Sequence, residues 1–124
     1  MCMNVKAYTG GQLLEGVKIA LSNRLFQNGW FLGSDYRAIR DGSIALCLES
    51  AVFVAFNDNV PIASALLHNS HFQVFVRKRH RRHGIGRELF KISLEHYRKF
   101  STRKMQYYDG HPVSRSFFRK MEGF

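Results

Sequence analysis

The sequence predicts a single α/β domain, built on a mixed, largely antiparallel sheet flanked by helices. Three observations lead to this fold class. The 124 residues match a common domain length. Apolar residues make up 45% of the chain, which favours a packed core over disorder. The hydrophobic pattern changes between the helical and the strand period along the chain. Since no repeat or Pro-rich linker interrupts residues 1–124, we interpret them as one domain.

The predicted elements follow in the order β, α, four strands, α, β, α. After the first strand, leucine and valine at helical spacing predict a helix from Gly11 to about Gln27. Gly, Asp, Ser and Asn predict a loop over 28–43, with a short helix near Tyr36 to Arg40. β-branched and aromatic residues predict strands near 43–49, 50–57, 60–67 and 71–76, with a hairpin around Asn57 to Asn59.

The helical period returns at Gly84 and predicts an amphipathic helix to about Phe100. Its expected apolar stripe is Ile85, Leu89, Ile92 and His96, flanked by Phe90, Leu94 and Tyr97. Residues 104–110 read as a short strand. A last helix is predicted over 111–124, with a proline near its start. Proline is common there because the N–H that it lacks would have no partner in the first turn of a helix.

Charge is distributed unevenly along the chain. Residues 1–76 hold five Lys/Arg and five Asp/Glu, whereas residues 77–124 hold fourteen and four, so the later part carries the whole excess of +10. This asymmetry predicts a surface that meets phosphates, acidic protein or nucleic acid. No helix–turn–helix, zinc-finger or RNP aromatic motif accompanies it, which argues against sequence-specific DNA reading.

Hydropathy, the N-terminal residues and the cysteine count bear on the cellular location and on metal binding. No apolar run approaches the ~20 residues that span a bilayer, and the first ten residues have no signal-peptide pattern. The two cysteines, Cys2 and Cys47, are too few for a disulfide framework and lack metal-ligand spacing. We therefore expect a cytoplasmic protein with no membrane contact and no metal.

The densest motif follows the strand that ends at Val76. Arg77 to His83 contains five Lys/Arg and two His, and Gly84-Ile85-Gly86 comes next, where a helix begins. Glycine lets a phosphate approach the backbone, and a helix N-terminus attracts anions. The Walker A string is absent, and the dinucleotide fingerprint fails because Leu89 stands where its third glycine is needed.

What remains is Arg81-Arg82-His83-Gly84-Ile85-Gly86, which resembles the coenzyme A pyrophosphate loop of the GNAT superfamily of N-acetyltransferases, Gln/Arg-x-x-Gly-x-Gly/Ala. Downstream, residues 114–124, SRSFFRKMEGF, resemble the last helix of that family. The resemblance implies a GNAT-like acyl-CoA N-acyltransferase fold. It also implies acetyl-CoA as the co-substrate and direct attack by an amine.

The resemblance implies roles for particular residues. The backbone of Val74, Phe75 and Val76 is expected to bind the pantetheine arm. The pyrophosphate is expected to bind at Arg81, Arg82, His83, Gly84, Ile85, Gly86 and Arg87. His111 stands where the family often has Asn at the start of its last helix.

The catalytic groups are left open by the sequence. The family's proton-donating Tyr corresponds to Phe118, so the role is vacant or falls to Tyr107 or Tyr108. Because these two alternate along a predicted strand, one of them is expected in the core. His71 lies near the position of the family's base, and histidine is a residue type that often serves as a base; the alternative is an ordinary surface histidine.

The leading functional hypothesis is an acetyl-CoA-dependent N-acetyltransferase whose acceptor amine lies on a protein or another macromolecule. One alternative is a catalytically impaired GNAT-fold protein that binds nucleic acid or an acidic protein through its basic C-terminal part. Another is a basic nucleic-acid module without a cofactor. The chain stops at Gly123-Phe124, where the family usually continues into further strands, so we expect an open sheet edge and a homodimer or a strand-accepting complex.

Overall fold

A computed structural model describes residues 3–26 and 33–107. The chain begins with strand β1 (Met3–Thr9). A 3-10 turn at Gly10–Gln12 then leads into helix α1 (Leu13–Ser22). The remaining elements are α2 (Ser34–Arg40), β2 (Ala51–Asn57), β3 (Val60–His68), β4 (His71–Val76), a 3-10 turn (Lys78–His80), α3 (Ile85–Arg98) and β5 (Gln106–Tyr107).

The five strands form one sheet in the order β1-β2-β3-β4-β5. The first four are antiparallel neighbours, and β5 returns parallel to β4 through α3. The predicted mixed, largely antiparallel α/β fold is therefore confirmed. The two tight connections, Asp58-Asn59 and Asn69-Ser70, have positive φ at both positions, as the two-residue turns that suit strand twist require.

The strand predicted near 43–49 is wrong. Ser43 donates its backbone N–H to the Ala38 carbonyl at 3.0 Å, which ties the segment to the end of α2. The N–H of Ser50 bonds the Cys47 carbonyl at 3.1 Å, and Ser50 Oγ accepts the Cys47 N–H. Because these backbone groups are satisfied locally, apolar composition alone does not add the segment to the sheet.

The helices match their predictions in place but not in every boundary. α1 ends at Ser22, where the Asn23 side chain donates to the Ile19 carbonyl at 2.8 Å; the predicted end at Gln27 lies outside the described residues. α3 lies within the predicted Gly84 to Phe100 range, but its buried positions are Ile85, Leu89, Phe90, Ser93 and Tyr97. Ile92 and His96, assigned to the central stripe, are only half-buried.

The sheet separates two apolar cores. α3 covers one face, the α3 face, where Phe53, Ile62, Leu67, Phe72 and Leu89 are among the buried side chains. α1 and α2 cover the other, the α1 face, where Tyr8, Leu13, Val17, Tyr36 and Leu66 are buried. Since β2 and β3 are almost wholly buried, both faces of the central strands are covered.

Candidate active site

The candidate site lies where β5 joins β4. The parallel pair includes His71 with Gln106 and Phe72 with Tyr107, and the Gln106 N–H donates to the Ser70 carbonyl at 2.8 Å. All of this pairing involves the start of β4. Within residues 3–26 and 33–107, no strand pairs with positions 73–76 on that side, so their peptide groups form an edge that an extended ligand can join.

Side chains along β4 alternate between the two faces. Phe72 is buried on the α3 face, and Val74 and Val76 pack against the same core. Phe75 packs against the α1-face core. The side chains of Val74, Phe75 and Val76 are thus held by packing. Because backbone groups alternate along a strand, those of Phe75 point toward β3, and those of Val74 and Val76 point to the free edge.

The basic run after β4 divides into anchoring and exposed residues. Arg77 donates its backbone N–H to the Ile62 carbonyl at 3.0 Å and its guanidinium to the Asn23 carbonyl at 3.1 Å. Arg81 donates through Nε to the Val76 carbonyl at 2.9 Å, and its guanidinium lies 5.7 Å from the centre of the Phe75 ring. These two arginines fix the ends of the loop. Lys78, Arg79 and Arg82 are exposed.

The loop enters α3 through a left-handed backbone. Arg82 has φ +69° and Gly84, the N-cap of α3, has φ +80°. A Cβ added at Gly84 meets no atom within 4 Å, so the space in front of the loop is open. The first hydrogen bond of the helix runs from Glu88 N–H to the Gly84 carbonyl at 3.0 Å. Amides ahead of Glu88 therefore lack an intrahelical acceptor, as at any helix start.

The start of α3 combines two properties that suit phosphate. The helix dipole places partial positive charge at the first turn. Arg82, His83 and Arg87 are exposed around it, whereas Ile85 is buried and anchors the turn in the core. Glu88, also exposed, is the acidic residue of this first turn.

His71 lies exposed at the start of β4. By the alternation of side chains along the strand, it is on the α1 face, like Phe75. Its Nδ1 is 2.8 Å from the Asn69 carbonyl oxygen. A carbonyl can only accept, so Nδ1 carries the hydrogen and Nε2 of the neutral ring is unprotonated. This tautomer is the one that a base acting through Nε2 requires.

A pair that sequence reasoning missed lies on the α1 face of β4. Gln73 Nε2 donates to Asp35 Oδ2 and so connects β4 to the first turn of α2. Both residues are half-buried. Asp35 makes no ion pair within the described ranges, so its charge lies beside the β4 edge without a basic partner there. The sequence contained no signal for this pair, since Asp35 stands in a segment read as a loop.

Several predicted site residues are only partly placed. Tyr107 pairs with Phe72 through the backbone of β5. Tyr108, His111, Phe118 and the predicted helix over 111–124 lie outside the described residues. The structure places Val74 to Val76 next to the loop from Arg81 to Arg87, whereas His71 lies at the opposite end of β4. It leaves the proton donor as a prediction.

Comparison with known proteins decides the family. The profile of the acetyltransferase (GNAT) family matches residues 21–124, most of the chain. The chain belongs to the GNAT family of N-acetyltransferases. The sequence resemblance to this family rested on the glycine loop, Arg81 to Gly86. In the structure this loop joins β4 to α3, as expected for the family's fold.

Solved GNAT structures have the same fold at low identity. A predicted acetyltransferase from Clostridium acetobutylicum, solved with acetyl-CoA, is 12% identical with a TM-score of 0.67, covering 98% of this chain and 89% of that one. A ribosomal-protein-alanine N-acetyltransferase from Brucella melitensis is 10% identical, with TM-score 0.65 and coverages of 97% and 90%. Glucosamine-6-phosphate N-acetyltransferase from Arabidopsis thaliana is 12% identical, with TM-score 0.64 and coverages of 97% and 90%.

These GNAT proteins are named for different acceptors, so the shared fold does not assign one. A search of curated protein sequences found no match. Among the described residues, no helix has the length and apolar character needed to cross a membrane. The same residues contain no group of three or more His, Cys, Asp or Glu placed to hold a metal ion.

Proposed function

We propose that this GNAT domain transfers the acetyl group of acetyl-CoA directly to an amine on a protein or another macromolecule. The observation that carries the proposal is the loop from Arg81 to Arg87, which joins the open edge of β4 to the start of α3. It places a left-handed glycine, a helix N-terminus and exposed cations beside a strand edge.

The loop fits a pyrophosphate. The open space at Gly84 admits a phosphate oxygen close to the backbone, where any side chain would project. The amides at the start of α3 lack intrahelical acceptors, and Arg82 and Arg87 add positive charge beside the exposed His83. Gly86 extends the glycine pair into the first turn of the helix.

The strand edge fits the rest of the cofactor. On the free side of β4, Val74 offers a backbone donor and acceptor and Val76 offers its N–H to the amides of a pantetheine arm, while both side chains stay packed; the Val76 carbonyl already accepts from Arg81. Bound coenzyme A supplies the acetyl group as a thioester. An N–H of this edge would stabilise negative charge that develops on the thioester oxygen.

The amine approaches from the α1 face in this proposal. The carboxylate of Asp35, held by Gln73, attracts an ammonium group to the point where β4 and β5 part. His71 accepts a proton from the attacking amine through Nε2. Tyr107 or Tyr108 returns a proton to the leaving thiolate, and His111 belongs to the cofactor side of the same opening.

The charge distribution supports a macromolecular acceptor. A single cofactor with a few phosphates requires only the cations near Gly84, whereas residues 77–124 carry a net charge of +10. The remaining positive surface suits a large, acidic acceptor or the protein that carries it.

Calorimetric titration of acetyl-CoA into wild type, Gly84→Glu and Gly42→Glu tests the cofactor site. Gly42 is a matched control, since it also has positive φ, +72°, and nothing within 4 Å of an added Cβ. Both variants incur similar backbone strain, but only Gly84→Glu places a carboxylate in the phosphate site. We expect one-to-one binding by wild type and Gly42→Glu, and none by Gly84→Glu. Equal binding by all three would overturn the loop assignment.

Transfer is tested separately by mass spectrometry of peptides with free amines after incubation with acetyl-CoA. We expect acetylated product with wild type and a loss of at least about tenfold with His71→Gln. Tight acetyl-CoA binding without transfer to any amine would instead favour the catalytically impaired, partner-binding alternative.

A further inference from the structure

A second charged surface lies at the carboxyl end of α3. We define the α3-end surface by Leu48, Arg98, Lys99, Phe100, Arg103 and Lys104. Four of the seven residues from 98 to 104 are Lys or Arg and none is acidic. All four basic side chains are exposed. Glu95, on the preceding turn, is the one carboxylate between positions 91 and 104.

This surface is too far from the glycine loop to bind the same phosphates. α3 has 14 residues from Ile85 to Arg98, and a helix rises about 1.5 Å per residue, so its two ends are about 20 Å apart. Phosphates held at the first turn leave the charges at the last turn unmatched. A different anionic group can therefore bind at this end of the helix.

Exposed apolar side chains lie among these cations. Leu48 is 87% exposed and Phe100 is 47% exposed. The two are connected through His96, whose Nε2 donates to the Glu49 carbonyl at 3.2 Å and whose ring lies 5.1 Å from that of Phe100. The loop carrying Leu48 therefore adjoins the end of α3, which places both exposed apolar residues at the same end of the helix as the cations.

The backbone holds Phe100 in place. Its N–H donates to the Tyr97 carbonyl at 2.9 Å, and the Ser101 N–H bonds the same oxygen at 3.1 Å. Tyr97 itself is fully buried. The backbone that carries the exposed ring is thus fixed by the end of a packed helix, which reduces the ordering cost of binding there.

Helix electrostatics explains only part of this composition. Cations in the last turn stabilise a helix through its dipole, which accounts for Arg98 and Lys99. Arg103 and Lys104 lie beyond the helix and receive no such benefit. The exposure of Leu48 and Phe100 at this end of the helix also gains nothing from the dipole, so a contact surface is the better explanation.

We propose that the α3-end surface binds an acidic peptide segment of a partner protein that also carries apolar side chains. The cations match its carboxylates, and Leu48 and Phe100 match its apolar groups. Single-stranded nucleic acid fits less well: bases stack on aromatic rings, and the most exposed side chain here, Leu48, is aliphatic. The site is separate from the proposed cofactor loop, and its test needs no catalytic activity.

Fluorescence anisotropy with three labelled probes of equal charge tests the proposal: a peptide of alternating Glu and Leu/Phe, an oligoglutamate, and an oligouridine. We expect wild type to bind the mixed peptide at least about tenfold more tightly than either other probe, and saturating acetyl-CoA not to compete. Leu48→Ser with Phe100→Ser should remove this preference. Leu14→Ser, which changes a leucine on α1 that is 41% exposed, should leave it intact.

A charge variant completes the test. Arg103→Glu with Lys104→Glu should weaken binding of the mixed peptide by at least about tenfold, because both residues are exposed and lie outside the helix. Lys78→Glu with Arg79→Glu, in the glycine loop, is the matched control and should weaken it far less. Equal affinity for the mixed peptide and oligoglutamate, or tighter binding of oligouridine, would overturn the proposal.

Discussion

The phenol of Tyr36 donates to Ser64 Oγ at 2.8 Å, and Ser64 in turn donates to the Leu25 carbonyl at 2.7 Å. Both side chains are buried, and burial raises the pKa of Tyr36 above its usual value. The chain of two hydrogen bonds connects α2, β3 and the segment after α1. It holds the α1 face, and hence Asp35, against the sheet.

Removing either hydroxyl should have unequal effects. Tyr36→Phe deletes one donor and should lower the free energy of unfolding by about 1 kcal/mol, whereas Ser64→Ala strands both partners and should cost about 2–3 kcal/mol. Chemical denaturation measures both. The double variant should cost less than the two single variants together, because the phenol no longer needs a partner; strict additivity would contradict the network.

Gly16 lies where α1 crosses β1. A Cβ at this position would be 2.7 Å from Tyr8 Cβ and 2.8 Å from Tyr8 Cγ, and neither atom can swing away. Gly16→Ala gains about 1 kcal/mol in helix propensity but incurs overpacking of about 1–3 kcal/mol, so we expect net destabilisation. Gly11→Ala, where nothing lies within 4 Å, is the control for thermal unfolding and should change stability little. Stabilisation by Gly16→Ala would show that α1 can move outward.

Arg81 acts on the glycine loop through the carbonyl of Val76. Arg81→Gln should raise the acetyl-CoA Kd by about tenfold, since a charge-assisted hydrogen bond contributes about 1.5–3 kcal/mol. Arg79→Gln removes the same charge from the exposed 3-10 turn and should have a smaller effect that vanishes at high salt. If both variants behave alike at every salt concentration, Arg81 supplies charge and does not position the loop.

His96 predicts a pH dependence of stability. Its pKa is lowered from the usual value, first by burial and then by the nearby Lys99 charge, against the opposing effect of the Glu49 carbonyl. Because the unfolded chain binds the proton more readily, stability is lost as pH falls from about 6.5 toward the lower folded pKa. The fall in unfolding midpoint between pH 7.5 and 5.5 should be smaller in His96→Gln. His80→Gln, a loop variant, should resemble wild type; an equal fall in all three would exclude His96 as the source.

Local sequence signals predicted most of the fold. Asn57 to Asn59 indicated a hairpin because asparagine and aspartate tolerate positive φ, which the structure shows at Asp58 and Asn59. The prediction for 43–49 was wrong because the apolar residues of this segment have the composition of a strand. The hydrogen bonds of Ser43 and of the following Ser50 hold it as a loop. Such side-chain-to-backbone competition is not visible in hydrophobic pattern.

The site was predictable only where chemistry is contiguous in sequence. The glycine loop is a single run of residues, so it could be recognised before the fold. Asp35 and Gln73 lie far apart in the chain, and their contact depends on the packing of α2 against β4. The charge excess was also evident from the sequence, and among the described residues α3 separates the basic residues before its start from those at its end. The predicted dimer and the proton donor stay predictions.

The parallel pairing of β4 with β5 has a consequence for the order of folding. Strands β2, β3 and β4 are joined by two-residue turns, so their contacts close short loops and can form early. Strand β5 reaches β4 only after the whole of α3 has been placed, which closes a much longer loop. We expect the amides of Gln106 and Tyr107 to exchange faster than those of β3. The opening between β4 and β5, the proposed cofactor site, would then be completed last during folding and be the first part lost on unfolding.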